Sequence, residues 1–135
     1  MSDANHKSIG PHEDRELELM VAGLKSLSMF VEAVPPDGGP YFPEQEFDAL
    51  VSEGRLIKRE LIEAWRDHAK NCDLETRRVL YALPREEWRL NAMLLVQEVY
   101  RSLAPGWRPD LERIIGRLLG YDRKDVEFFI SEKLS

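Results

Sequence analysis

The longest helical pattern of apolar residues in the chain lies between Pro84 and Pro105, and it constrains the fold more than any other feature. Apolar residues recur there at intervals of three and four, which places one set on a single side of a helix: Trp88, Ala92, Leu95, Val96, Val99 and Leu103. Four more widen that side: Leu90, Met93, Leu94 and Tyr100. Because a helix with so broad an apolar surface needs covering, we predict that it is the central element of the core.

Shorter helical patterns lie on both sides of this helix. A stripe of apolar residues from Leu17 to Leu27 follows the acidic residues that begin at Glu13, where a helix dipole favours negative charge. A second helix is predicted between Pro43 and Gly54. A pair of helices is predicted at the C-terminal end, the first starting at Pro109 and ending at Gly120, the second capped by Asp122.

Strands are predicted where β-branched and aromatic residues cluster between turn residues. Residues 28–34 form one such segment, which ends at the proline and glycine cluster Pro35–Pro40, and residues 77–83 form another. The segment Arg55–Trp65 fits a helix or a strand. A strand is favoured because two strands alone make a marginal sheet. Residues 68–75 between them are predicted to be a turn.

These elements indicate an α+β fold that is predominantly helical. We expect a small antiparallel sheet of two or three strands, packed on the long central helix, with the C-terminal helical hairpin behind it. Residues 1–12 are small and polar and are predicted to be a disordered tail, whereas residues 13–135 form a single globular domain. An apolar share of 43% is enough to fold such a domain and excludes global disorder.

Charge and cysteine content narrow the classes of partner and compartment. The net charge is -6, and its excess lies ahead of Arg85, because nine Lys or Arg and nine Asp or Glu are found from there to the end. Such a field disfavours nucleic acid and favours a basic surface on a partner protein. The single cysteine, Cys72, excludes an intramolecular disulfide and favours a cytoplasmic location. No apolar stretch has the length of a signal peptide core or a membrane span, so we expect no membrane association.

Catalytic and metal-binding patterns are weak. His68 and Cys72 are four residues apart and could supply half of a zinc site, but a structural zinc needs four ligands, and His6 and His12 are not spaced to complete it. The sequence has no Gly-x-Ser-x-Gly turn and no phosphate-binding glycine loop. We therefore expect no metal and no cofactor. A non-catalytic protein is favoured, and a small enzyme without a recognisable motif stays open.

The C-terminal helix pair has the spacing of a helix-turn-helix. Gly116, Gly120, Val126 and Phe129 match the small, turning and apolar positions of that motif. Arg123 and Lys124 would then face DNA, but acidic neighbours such as Glu127 oppose phosphate. A structural hairpin is therefore favoured over a transcriptional accessory.

The proline-bounded loop 35–43 is the strongest candidate for a partner site. Stiff prolines could present Tyr41 and Phe42 as aromatic anchors, with an acidic rim of Asp37, Glu44 and Glu46. The competing interpretation, slightly favoured, is that the two rings fold back over the core. Trp107, in a connection between helices, allows the same two interpretations. The leading hypothesis is a non-catalytic intracellular protein-binding module, such as an inhibitor or immunity-type factor, that binds a basic surface of its target.

Overall fold

The computed structural model describes residues 15–34, 42–67, 69–104 and 106–134. Within these residues it contains five α-helices and one three-stranded antiparallel sheet, which confirms the predicted α+β class. In chain order the elements are α1 (Glu16–Val21), β1 (Leu27–Ala33), α2 (Glu44–Ser52), β2 (Ile57–Asp67), β3 (Cys72–Ala82), a 3₁₀ turn (Pro84–Glu86), α3 (Glu87–Ser102), α4 (Pro109–Leu118) and α5 (Arg123–Leu134).

β3 is the central strand, and the order in the sheet is β1-β3-β2. It pairs with β1 from Leu27 opposite Ala82 to Ala33 opposite Thr76, and with β2 along the whole length of both strands. The strand interpretation of Arg55–Trp65 is therefore correct. The predicted turn over 68–75 is wrong for residues 72–75, which belong to β3.

The hairpin between β2 and β3 closes within a shorter segment than the sequence suggested. The carboxylate of Asp67 accepts hydrogen bonds from the backbone N–H groups of Ala69 and Lys70. Asn71 has a φ of 54°, a left-handed conformation that asparagine tolerates better than most residues. Local side-chain bonds thus reverse the chain quickly and leave room for a longer strand.

Alternation along β3 divides the core into two clusters. Val79 and Tyr81 lie on one face of the sheet, in a cluster with residues of α1 and α2 and with the segments beside them: Met20, Phe42, Phe47 and Leu56. Leu80 and Ala82 lie on the other face, in a cluster with residues of β1, α3 and α4: Leu27, Leu90, Met93, Leu118 and Leu119. Successive side chains of a strand point to opposite faces, so β3 supplies both clusters. The result is a sheet with helices on both sides.

Two helices depart from the sequence analysis. α1 ends at Val21, before the predicted stripe reaches Leu27, because Gly23 takes a left-handed φ of 74° and ends the helix. Along α3 only Leu90 and Met93 are buried. The residues predicted to form its main buried side include exposed ones, since the sheet and α4 cover only one side of α3 while α5 packs mainly on α4.

A buried lysine joins the start of the chain to the C-terminal helix pair. Lys25 lies between α1 and β1, pairs with Glu16 at 3.7 Å, and donates a hydrogen bond to the backbone carbonyl of Leu119 at the end of α4. Ser28 Oγ donates to Glu16 Oε1 at 2.6 Å. Burial lowers the pKa of Lys25 to about 8, against the opposing effect of Glu16. Local sequence patterns do not predict the bond to Leu119, because Lys25 and Leu119 are far apart along the chain.

The helix pair α4–α5 is confirmed, and its close approach depends on a glycine. A Cβ built at Gly116 would lie 2.7 Å from Cγ2 of Val126, so the two helices meet where the first has no side chain. Gly120 takes a left-handed φ of 83°, and the N–H of Tyr121 donates to the carbonyl of Gly116, which closes the turn.

We expect Gly116→Ala to lower the free energy of unfolding by about 1–2 kcal/mol, because overpacking outweighs the gain in helix propensity. Urea denaturation of the two single variants, Gly116→Ala and Val126→Ala, and of the double variant measures the coupling. Because the smaller side chain at position 126 makes room for the new methyl group, the double variant should be more stable than the sum of the single effects implies. Strictly additive effects would show that the two positions are not in contact.

Candidate binding surface

Phe42, predicted as an exposed anchor, is buried. Only 6% of it is exposed, and its ring stacks on Phe30 of β1 with the centroids 4.2 Å apart. Phe47 and Tyr81 meet the same ring edge-on. The interpretation of Phe42 as an exposed anchor is therefore wrong, and the slightly favoured interpretation, a ring folded over the core, is correct for this residue. Asp37 and Tyr41 lie outside the described residues.

Glu44, predicted as part of an acidic rim, belongs to an ion network between α2 and the sheet. The guanidinium of Arg77, on β3, donates hydrogen bonds to Glu32 at 2.9 Å and to Glu44 Oε1 at 3.0 Å. Glu60 on β2 accepts a further bond from Arg77. Glu46, two residues further along α2, is exposed.

The network continues through a lysine. Lys58 Nζ donates to Glu44 Oε2 at 3.0 Å and to Asp48 at 3.1 Å, and the hydroxyl of Tyr81 donates to Asp48 at 2.8 Å. We call this set the carboxylate network; it consists of Glu32, Glu44, Asp48, Glu60, Lys58 and Arg77. Four carboxylates face two cations, so the network keeps an excess of negative charge while it ties α2 to the sheet.

The bonds of the network change the acidity of its members. The hydrogen bond from Arg77 lowers the pKa of Glu44 to about 2, and Lys58 acts in the same direction. Burial raises the pKa of Tyr81, and the bond to Asp48 raises it further. The Glu44 carboxylate therefore stays ionised below its ordinary pKa of 4.5, and it does so within the interface between α2 and the sheet.

Only part of the predicted acidic surface lies in the described region. Ahead of Arg85 the described residues hold twelve Asp or Glu and nine Lys or Arg, which accounts for half of the net charge of -6. Several of those carboxylates are held by arginine or lysine in the carboxylate network. The described part of the acidic half is thus largely occupied by internal ion pairs.

The other predicted site residues lie near the C-terminal helices. Trp107 is half-buried, and its ring meets Phe129 edge-on with the centroids 6.3 Å apart. Arg123 and Lys124 are exposed in the first turn of α5. On the same helix Glu127 holds Arg113 of α4 through two hydrogen bonds, at 2.8 Å and 3.1 Å. This pairing holds Arg113 of α4 beside α5. It also places the Glu127 carboxylate on the same helix as Arg123 and Lys124, the two cations predicted to face DNA.

The described ranges contain no cluster of three or more His, Cys, Asp or Glu residues placed to hold a metal. Cys72 is half-buried at the start of β3, while His6, His12 and His68 lie outside those ranges. No helix in the described ranges is long and apolar enough to cross a membrane.

The surface that stands out is the outward side of α3. Four apolar side chains, which we call the outer stripe, are exposed there: Trp88 (55%), Leu95 (65%), Val99 (39%) and Leu103 (38%), the last just after the helix ends. Single exposed apolar residues are ordinary, but an aligned set on one helix is a candidate binding surface. The apolar pattern of the sequence places these residues on one side of the helix, but it predicted that this side is buried in the core.

Contacts on the opposite side of α3 fix which way the outer stripe points. Leu90 and Met93 are buried against the sheet, and Arg101, on the same side of the helix, donates to the buried carboxylate of Glu63 at 3.1 Å. Glu63 also accepts a bond from buried Arg78 at 3.0 Å. Rotating α3 to bury the stripe would break this pairing and expose the core residues, which would be strongly unfavourable.

Comparisons with known proteins give no match: no family model, no curated protein and no solved structure is significantly similar to this chain.

Because the pKa of Glu44 is lowered in the folded protein, part of the free energy of unfolding depends on pH. Because the folded value lies below the ordinary value of 4.5, the stabilisation is complete above pH 4.5 and is lost as the pH falls towards 2. We expect Glu44→Gln to lower the free energy of unfolding by about 2 kcal/mol at pH 7 and to reduce its decrease between pH 4.5 and 2. Urea denaturation across this pH range measures both effects.

Glu46→Gln is the matched control, since Glu46 lies on the same helix and is exposed. It should leave the pH dependence of stability close to that of the unchanged protein. Equal effects of the two substitutions would contradict the role assigned to Glu44.

Proposed function

We propose that this chain is a protein-binding module that uses the outer stripe of α3 to bind an amphipathic segment of a basic partner protein. The exposure of Trp88, Leu95, Val99 and Leu103 along one helix carries the proposal. Removing such side chains from water is the main favourable term in protein association. An inhibitor or immunity-type factor acts in this way, by occupying a surface of its target.

The dimensions of the stripe suit a helical partner segment. From Trp88 to Leu103 the helix rises about 22 Å at 1.5 Å per residue, about four turns. Apolar anchors spaced along several turns are typical of binding between a helix and an apolar groove or a second helix. A large aromatic ring lies at one end, and Trp is enriched among residues that contribute most to binding. The guanidinium of Arg89 lies 4.8 Å from the centre of the Trp88 ring and helps to hold it.

The acidic residues on one flank of the stripe favour a basic partner. Glu87 and Glu98 border the stripe on one side, and Glu98 is largely exposed. Their ion-pair partners, Arg59 at 3.3 Å and Arg101 at 3.8 Å, lie on the side towards the sheet. Exposed pairs of this kind contribute little and rearrange easily, so lysine or arginine beside a partner's apolar stripe could replace them. The net charge of -6 would speed the approach of such a partner.

The same charges argue against a second copy of this chain as the occupant. Two copies of α3 that pair in antiparallel fashion across a two-fold axis bring the same flank of each helix together. The Glu87 and Glu98 carboxylates of both copies would then line the same side of the interface, and like charges at an interface oppose association. A partner of different sequence with a basic flank avoids this repulsion.

A photo-crosslinking residue at position 95 tests the proposal in extract of the native cells. We expect an adduct whose attached peptide is apolar and carries lysine or arginine. Position 134 is the matched control, because Leu134 is equally exposed but lies at the end of α5. No adduct above that control, or an adduct to this same chain, would contradict the proposal.

A substitution then separates binding from folding. Because a charge in the centre of the interface would be buried unpaired, we expect Leu95→Glu to weaken binding of the crosslinked partner at least about tenfold. Leu134→Glu should leave the affinity unchanged. Thermal unfolding of both variants should match that of the unchanged protein, since both side chains are exposed in the free molecule.

A further inference from the structure

A cavity of about 340 Å³ lies on the face of the sheet that is opposite to α3. There the ends of α1 and α2 meet the segment that follows β3. Its size is within the range of small-ligand sites. The residues that line it, which share no member with the outer stripe, are Met20, Val21, Gly23, Leu50, Arg55, Leu56, Leu83, Pro84 and Arg85.

The lining is apolar at depth and cationic at the rim. Met20 and Leu56 are buried, whereas Val21 is half-exposed. Arg55 and Arg85 are exposed and come from different segments of the chain. Among the described lining residues none is acidic. The cavity therefore offers an apolar surface beside two guanidinium groups.

Negative charges lie near the two arginines at the mouth. Glu53 lies 3.5 Å from Arg55, but both are exposed and such a pair is weak. The ends of α1 and α2 contribute at most about half a negative charge each. Their last carbonyls are already engaged, for example that of Leu50 by the N–H of Arg55. Arg55 and Arg85 remain the charged residues of the lining, and their exposed guanidinium groups can donate hydrogen bonds to an anion.

We infer that this cavity binds a ligand made of an apolar chain and one carboxylate. The apolar part would contact Met20 and Leu56, and the carboxylate would accept hydrogen bonds from Arg55 and Arg85, whose planar guanidinium groups match it in shape. A free aliphatic acid and the C-terminal residue of a peptide share this chemistry. The inference does not depend on the proposed function.

Methyl NMR of the whole protein, labelled at methionine, tests the inference with octanoate and with 1-octanol as the uncharged control. We expect saturable shifts of the Met20 methyl signal, because Met20 lines the cavity. Met29 and Met93 belong to the core on the other face of the sheet and should not shift, which makes them internal controls. Octanoate should bind about tenfold more tightly than 1-octanol.

Three variants, with a fourth as control, test which lining residues contact the ligand. Arg55→Gln and Arg85→Gln should each remove most of the preference for octanoate and leave the weak binding of 1-octanol unchanged. Val21→Trp, at the mouth, should block both ligands. Arg123→Gln, on α5, is the control for lost positive charge and should change nothing. Equal affinity for the two ligands, or unchanged affinity in the arginine variants, would overturn the inference.

Peptides distinguish the two sources of the carboxylate. A short peptide ending in leucine with a free carboxylate, bound more tightly than octanoate, would assign the cavity to peptide C-termini. Tighter binding of octanoate would assign it to small acids. An amidated peptide that binds as well as the free one would contradict recognition of the carboxylate.

Discussion

The rest of the structure depends on the alternation of apolar side chains along β3. Val79 and Tyr81 supply one core cluster, while Leu80 and Ala82 supply the other. A strand that is apolar on both faces has to be covered on both, and this chain covers it with α1 and α2 on one side and α3 and α4 on the other. Because residues 76–82 of β3 are paired on both edges, their backbone polar groups are satisfied by β1 and β2.

Ion pairs between helices and strands then determine how α2 and α3 are positioned on the sheet. The carboxylate network joins α2 to β3 through Arg77, and the buried carboxylate of Glu63 joins α3 to β2 through Arg101. A buried ion pair adds little net stability over apolar packing, but losing one partner is strongly unfavourable, so such pairs select one arrangement. The direction of the outer stripe follows from the second pair. The same sheet contact that buries Leu90 and Met93 leaves Leu95 facing solvent.

The fold class was predictable from local signals, whereas the surfaces were not. Periodicity and the capping glycines located α2 and the helix pair, and the argument from sheet stability resolved the segment that became β2. Burial along α3 was misjudged because periodicity shows that residues share a side but not whether another element covers it. The partners of Lys25 and Arg77 were invisible for a related reason: Leu119, Glu32 and Glu44 are distant in sequence and meet only after the sheet has formed. The burial of Phe42 agrees with the slightly favoured interpretation of its loop, in which the ring folds back over the core.

The claim that α3 presents its outer stripe to solvent is tested most directly by hydroxyl-radical footprinting of the purified, unbound protein, read by mass spectrometry at single residues. Trp88 and Leu95 should be oxidised rapidly. Met93 should be protected in the folded protein although sulfur is intrinsically reactive, and it should react once the protein is unfolded in urea. Rapid oxidation of Met93 together with protection of Trp88 and Leu95 in the folded protein would contradict the account, because α3 would then present its other side.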